Sequence, residues 1–384
     1  MDKNNCGKPR FSGEKTITTL KEASTLIMGQ SPSSDSYNVD SNGLPFYQGN
    51  ADFGEDNPTP RIWCTDPKKI AEKGDILISV RAPIGAINIA DEQCCIGRGI
   101  AAIRPNTELV SRDYLRHQLC ASRDKLEAMG TGSTFKAIGK KALGGFAITI
   151  YPKKGQETIA YQFNWVAEHI KLANSQLAQL DNLVKLRFIE MFGDPNSKQC
   201  GAFIEDAFFI RDDLRKPLSG KERDAMKTGE LYPYYGANGK VDDINQFLTD
   251  CDALCFAEDC GSYGPGEPTA YVIRGKAWVN NHAHLLVAKC PHFLEYARTY
   301  FTLLDINRFI SGTTRAKMTQ AQLKKINIEV PDQVMLREFD GFVSNVDKLR
   351  FMLLGNPLPM FGHRSFCCST NSGNGGVILE AKDY

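Results

Sequence analysis

The 384-residue sequence predicts an α+β fold: two similar mixed α/β domains separated by a long coiled-coil helical spacer. Three observations predict it. The first is a duplication. Gly132-Ser133-Thr134-Phe135-Lys136 runs on to Leu143, Phe146, Ile148 and Ile150; about 180 residues later Gly312-Thr313-Thr314-Arg315-Ala316 runs on to Leu323, Ile326, Ile328 and Val330. A matching aromatic turn precedes each, Pro45-Phe46-Tyr47-Gln48-Gly49-Asn50 and Pro233-Tyr234-Tyr235-Gly236-Ala237-Asn238. Repeats of this size are duplicated domains and not solenoid units. The second is a heptad seam: Ile159, Phe163, Val166, Ile170, Ala173, Leu177, Leu180 and Val184 alternate steps of four and three. The third is that the first copy mixes strand-like runs with a helical stretch, and the second repeats its style.

Taken in order, residues 1–152 form the first expected domain. Asp75-Ile76-Leu77-Ile78-Ser79-Val80 is a β-rich run after Gly74, and Gly145 to Ile150 ends in an alternating strand. Pro83, Gly85 and the Gly97-Arg98-Gly99 turn punctuate it. Asp113 to Met129 predicts a helix with Tyr114, Leu115, Leu119 and Leu126 on one side. Residues 153–195 form the spacer: no glycine falls between Gly155 and Gly193, no proline interrupts, and Gly193-Asp194-Pro195 is a stop signal. At ~1.5 Å per residue its helix of ~40 residues would be ~60 Å long, more than a small core needs, though a bent pair of shorter helices would carry the same pattern. Residues 196–332 repeat the first domain's style, with strand-like Asp252 to Phe256 and Ala277-Trp278-Val279 and a glycine-rich loop from Gly261 to Gly266. Residues 333–355 restart the seam with Leu336, Phe339, Phe342, Val346 and Leu349, and Gly355-Asn356-Pro357 ends it. Residues 356–384 show no periodicity and are expected to be a disordered or loosely packed tail.

Composition narrows the class. No apolar run reaches the ~18 residues of a membrane span. Met1-Asp2-Lys3-Asn4-Asn5 lacks an apolar signal region, so a cytoplasmic location is expected. Several of the twelve cysteines lie inside apolar runs, as in Leu254-Cys255-Phe256, and are read as reduced, mostly buried thiols. Net charge +1 argues against a uniformly basic coat. Local charge says more: no acid occurs from Ala128 to Gln156, nor from Ile306 to Ile328. Those windows hold Lys136, Lys140, Lys141, Lys153 and Lys154 in one copy and Arg308, Arg315, Lys317, Lys324 and Lys325 in the other. The same window recurring in each repeat is the footprint of a polyanion contact; chance clustering on a solvated face would have to strike twice.

Candidate DNA contacts follow from these loops. Ser133, Thr134 and Lys136, and Thr313, Thr314, Arg315 and Lys317, combine hydroxyls with cations in short segments expected to lead into helices. That chemistry suits phosphate, and ordinary helix capping is a second use of the same hydroxyls. Arg81, at a strand end beside a Pro-fixed turn with Ser79, suits guanine O6 and N7; a salt-bridged loop arginine fits equally. Gln48 and Asn50 have the bidentate donors and acceptors for adenine, although turn chemistry alone also explains Asn50 and Asn238. Arg98, Tyr235, Asn238 and Ser262 join the candidates from the matching turns and loops.

Other constellations are weaker. Cys251, Cys255, Cys260, His282, His284 and Cys290 lack C-x-x-C spacing, so zinc is not assigned. Glu258-Asp259 can be a carboxylate pair for acid–base work, but turn acids are the better reading. Phosphate-loop, dinucleotide-binding and H-E-x-x-H motifs are missing, as is the Asn-Pro-Pro-Tyr of amino-methyltransferases.

These residues resemble the specificity subunits of type I restriction–modification systems. The resembling segments are Gly74 to Gly85, Cys95 to Gly99, Gly130 to Phe135, Phe188 to Pro195, Pro233 to Asn238, Trp278 to His284 and Gly312 to Thr314. The resemblance implies two target-recognition domains, each reading one half of a bipartite double-stranded DNA site, in a subunit that is not catalytic and needs no cofactor. It implies assembly with two methyltransferase (modification) subunits, which use S-adenosylmethionine, and with ATP-dependent restriction subunits. Members usually close with a second long helix antiparallel to the first; here the heptads stop near Phe351. Two other classes stand beside this one: a metal-dependent hydrolase built on the Cys/His/acid cluster, and a coiled-coil scaffold that binds only proteins. Stoichiometric metal would mark the first, and failure to bind DNA the second.

Overall fold

The structure is a computed structural model that describes residues 15–132, 136–197, 202–259, 263–310, 316–354, 366–370 and 377–381. Its contacts divide the chain into two compact units, with a division between His169 and Ile170.

In the first unit, Ser24–Met28, Ile100–Pro105, Ile76–Ser79 and Ile87–Ile89 lie in that order in an antiparallel sheet. Both of its faces are covered. Ile76, Ile78, Ala101 and Ile103 pack against Tyr114, Leu115, Leu119 and Leu126 of the helical layer. Leu77, Ile100 and Ala102 face a second sheet through Tyr47, Ala71 and Ile96. A strand buried on both sides reads as an unbroken apolar run, which is why Ile76-Leu77-Ile78 does not alternate. In the second sheet Leu44–Tyr47 runs parallel to Cys94–Ile96.

The second unit repeats this plan. Phe208–Ile210, Ala283–Ala288, Ala253–Ala257 and Ala270–Ile273 take the same order in an antiparallel sheet. Leu254, Phe256 and Leu286 pack against Phe293, Tyr296 and Ala297 of the Phe293–Leu303 helix. Ala253, Cys255 and Leu285 face Ala277 and Val279. Tyr232–Gly236 runs parallel to Lys276–Val279, as its counterpart does in the first unit. A four-residue helix opens each copy, with Leu20 N–H donating to Phe146 O and Ile204 N–H to Ile326 O. The duplication is therefore structural.

Two helical expectations change. The predicted Asp113–Met129 helix is two helices, Arg112–Cys120 and Arg123–Ala128. Ser122, a residue type that favours caps over helix interiors, stands at the break, and its carbonyl accepts from Leu126 N–H. Tyr114, Leu115, Leu119 and Leu126 are all buried as expected. The short helices after the basic loops begin late, at Lys140 and Gln320. Chain pairing explains it in the first copy: Arg81 pairs with Ala137 as a β-bridge, and Ile138 N–H donates to Val80 O, so the backbone stays extended. Gly139 and Thr319 occupy the N-cap positions.

The spacer is one helix, Lys153–Phe192. It stops at Gly193, where φ is +80°, a value that suits glycine. Its ends belong to the cores. Gln156 is buried, accepting from Ser111 N–H and donating to Leu109 O and Tyr151 O. Val184, Phe188 and Phe192 are buried in the second unit against Leu336, Phe339, Val343 and Val346 of the Gln333–Leu354 helix. That helix runs antiparallel to the first, since Glu338 pairs with Arg187 and Arg350 with Asp181. Most of the 356–384 tail lies outside the described residues; the described part, Phe366–Thr370 and Val377–Ala381, forms an antiparallel ladder where no periodicity was expected. Among the described residues no helix is long and apolar enough to cross a membrane.

Candidate nucleic-acid interface

Four separate segments of the first unit are joined end to end by backbone hydrogen bonds. Gly97 N–H donates to Tyr47 O at 2.8 Å and Gly99 N–H to Gln48 O at 3.0 Å. Val80 N–H donates to Gly99 O, and Ile138 N–H to Val80 O, both at 2.9 Å. The sequence candidates sit on this frame. Gln48, Arg81, Arg98 and Lys136 are exposed on it, and Asn50 opens a short 3-10 turn beside it. Among the described residues Arg81, Arg98 and Lys136 have no ion-pair partner. Three unpaired cations and an amide thus converge from loops up to about 90 residues apart in sequence. Thr131 and Ala137 exchange two hydrogen bonds of 3.0 Å across the segment that holds Ser133 and Thr134, which themselves lie outside the described residues.

Ser79 does not join the contact surface. It is buried, and its hydroxyl donates to Pro83 O at 2.7 Å and accepts from Ala86 N–H at 2.9 Å. It shapes the turn that carries Arg81.

The second unit builds the same frame. Asn280 N–H donates to Tyr235 O at 3.0 Å, Glu258 N–H to His282 O at 2.9 Å, and Met318 N–H to Glu258 O at 2.8 Å. Asn238 is exposed in the two-residue turn between Tyr232–Gly236 and Gly239–Ile244. Tyr235 is half-buried, its ring stacked on Tyr271 with centroids 5.7 Å apart. Ser262, Thr313, Thr314 and Arg315 lie outside the described residues. Lys317 departs from expectation as a phosphate-binding cation: its ammonium already pairs with Glu258 at 2.9 Å.

Sequence reading missed the network around that pair. Glu258 also binds Arg215 at 2.8 Å, and Arg215 binds Asp212 at 3.0 Å. His284 is buried with Nδ1 at 2.7 Å from Asp212 and Nε2 at 2.9 Å from Met318 O. Burial raises the Glu258 carboxyl, but hydrogen bonds from Lys317 and Arg215 outweigh it and leave the pKa below the ordinary value. Asp212 is likewise lowered, burial being outweighed by His284, Gln320 and Arg215. These contacts tie Glu258 to Lys317, at the roots of the segments that hold Ser262 and Arg315. Glu258 is thus a structural anchor and more than a turn acid.

Of the residues weighed for zinc, Cys260 lies outside the described residues. Both His284 ring nitrogens are engaged, and Cys255 is buried with its thiol pushed up to about 12 by desolvation. Among the described residues no cluster of His, Cys, Asp and Glu could hold a metal ion. Cys64, Cys94, Cys95, Cys120, Cys251, Cys255 and Cys290 are free thiols.

Comparison with known proteins places this geometry. The family described as "Type I restriction modification DNA specificity domain" matches residues 13–182 and 214–345. A putative type I restriction enzyme MjaX specificity subunit of Methanocaldococcus jannaschii is 41% identical over 160 residues, 42% of this chain and 38% of that protein. A putative type I restriction enzyme specificity subunit of Haemophilus influenzae is 29% identical over 131 residues, 33% of this chain and 32% of that protein. The matched stretches thus span 38% and 32% of those relatives' lengths. The crystal structure of a type I restriction–modification system S subunit from M. genitalium shares the fold at a TM-score of 0.53 and 15% identity, covering 93% of this chain and 99% of that one.

Proposed function

The chain belongs to the type I restriction–modification DNA specificity family, and on that premise we propose that it is the non-catalytic subunit that reads a bipartite double-stranded DNA site. Each unit reads one half-site. Arg81, Arg98 and Lys136, with the hydroxyls of Ser133, Thr134, Thr313 and Thr314, set the phosphate register. Gln48, Asn50 and Asn238 reach base edges. The helical spacer sets the gap between half-sites, as dimer spacing does in other two-part readers. Methylation and cleavage come from partners: two modification subunits and the restriction subunits. The domain limits proposed with this role are 1–152 and 196–332, although the ends of the 153–195 helix pack into both cores.

The observation that carries the reading is the convergence of Arg81, Arg98, Lys136 and Gln48 on one hydrogen-bonded frame. The test is the salt dependence of duplex binding by the chain assembled with its modification subunits. Each phosphate contact contributes about 0.9 to the slope of log K against log salt. The triple variant Arg81→Ala, Arg98→Ala, Lys136→Ala is expected to lower the slope by about two to three. An unchanged slope would remove these residues from the interface.

A further inference from the structure

The two frames share three backbone hydrogen bonds; they differ in the fourth, Gly99 N–H to Gln48 O in the first against His282 N–H to Asn280 Oδ1 in the second, and in what they carry. In the place of Arg81 stands Asp259, in that of Arg98 stands Asn281, and in that of Lys136 stands Ala316. In the place of Gly99 stands His282: both carbonyls accept the N–H at the head of the next strand-end loop, from Val80 and from Glu258. The second frame therefore lacks the first one's three cations at these positions and presents an imidazole instead.

His282 is held at three points. Its backbone N–H donates to Asn280 Oδ1 at 2.8 Å, its carbonyl accepts from Glu258 N–H at 2.9 Å, and ring Nδ1 lies 2.9 and 3.0 Å from the two Asp259 carboxylate oxygens. Asn280, which orients the loop, is itself buried. The Asp259 side chain is 10% exposed, whereas that of His282 is 45% exposed. A carboxylate accepts and cannot donate, so Nδ1 carries the hydrogen. In the neutral ring Nε2 is then an acceptor, and no described residue bonds to it. A surface ring fixed in rotation and in tautomer is pre-organised for a partner, because the ordering cost is met before binding.

We propose that His282, oriented by Asp259, reads a base in the half-site of the second unit, with Nε2 accepting a hydrogen bond from the exocyclic amine of adenine or cytosine. This rests on the reading of the chain as a DNA specificity subunit. Asp259 is the positioning residue. Gly99 has no side chain, so the contact has no counterpart in the first half-site.

The test is selection of bound duplexes from a randomised pool by the full chain assembled with its modification subunits. His282→Ala is expected to lower discrimination about tenfold at one base pair of one half-site, leaving the other half-site and the salt slope unchanged. Asp259→Asn carries the sharper expectation. Its amide offers Nδ1 a donor as well as an acceptor, so the tautomer with hydrogen on Nε2, which the carboxylate excludes, becomes populated and an acceptor is joined by a donor. Preference at that same base pair should then shift toward guanine or thymine, a change that mere loosening of the loop would not produce. Should His282→Ala not fold, His282→Gln carries the test, with broadened preference at the same position expected. A wild-type complex that selects no two-part site overturns the specificity-subunit reading. A wild type that selects one, with variants that keep its discrimination or lose both half-sites alike, overturns only the assignment of His282.

Discussion

A methyl group at Gly99 would sit 2.3 Å from the Gln48 carbonyl oxygen, and one at Gly97 would sit 3.1 Å from the Gln48 Cα. Both glycines let two backbones touch, and that touch brings Gln48 beside Arg98. Gly49, next to Gln48 at the same contact, would itself meet nothing within 4 Å with an added methyl and has an extended φ of −174°. Gly99→Ala is therefore expected to cost about 1–3 kcal/mol and to weaken DNA binding. Gly49→Ala is expected to stay within about 0.5 kcal/mol. Urea unfolding of both variants decides it; equal costs would show that the close approach is not needed. The Gly97-Arg98-Gly99 turn was legible in sequence because glycine spacing is a local signal. The pairs Lys317–Glu258 and His282–Asp259 were not, because their partners come together only through sheet pairing. Ser79 misled for a related reason: a hydroxyl at a strand end looks the same whether it faces solvent or closes a turn beneath Pro83.

At the scale of elements, periodicity carried the long helix and failed on the short ones. The heptad seam and its Gly193 stop predicted a single helix, and Lys153–Phe192 is one. Its burial is uneven. Val184, Phe188 and Phe192 are buried, while Val166, Ile170, Ala173 and Leu177 are only half-buried. The Gln333–Leu354 helix accounts for the difference, since it reaches back from Phe192 to about Asp181. Phe339 is the centre of that contact, with ring centroids 5.6 Å from Phe188 and 5.5 Å from Phe192. Phe339→Ala should cost about 3–5 kcal/mol, the usual range for a buried ring removed. Hydrogen exchange should then show the Gln333–Leu354 amides losing protection ahead of the sheet amides of the second unit. Simultaneous loss in both would mean that the helix and the sheet unfold as one.

At the scale of the molecule, duplication was the strongest sequence signal, and it holds down to individual backbone hydrogen bonds: Val80 to Gly99 matches Glu258 to His282, and Ile138 to Val80 matches Met318 to Glu258. Twin frames with different side chains are what a reader of two unlike half-sites needs. Sequence could align the frames but not predict their charge, because Lys317, read as a free cation, is consumed by Glu258. Under the proposed function, the helix joining the two recognition domains sets how far apart the two readings fall. Seven residues inserted after Ala173 preserve the heptad phase and lengthen the helix by ~10 Å at ~1.5 Å per residue. At ~3.4 Å per base pair that is about three base pairs. The inserted protein, assembled with its modification subunits, is expected to methylate sites whose half-site sequences are unchanged and whose gap is wider by about three base pairs. Sequencing of methylated genomic DNA reads both quantities at once. A changed half-site would mean that the insertion disturbed a recognition domain; an unchanged gap would mean that some other element measures the distance.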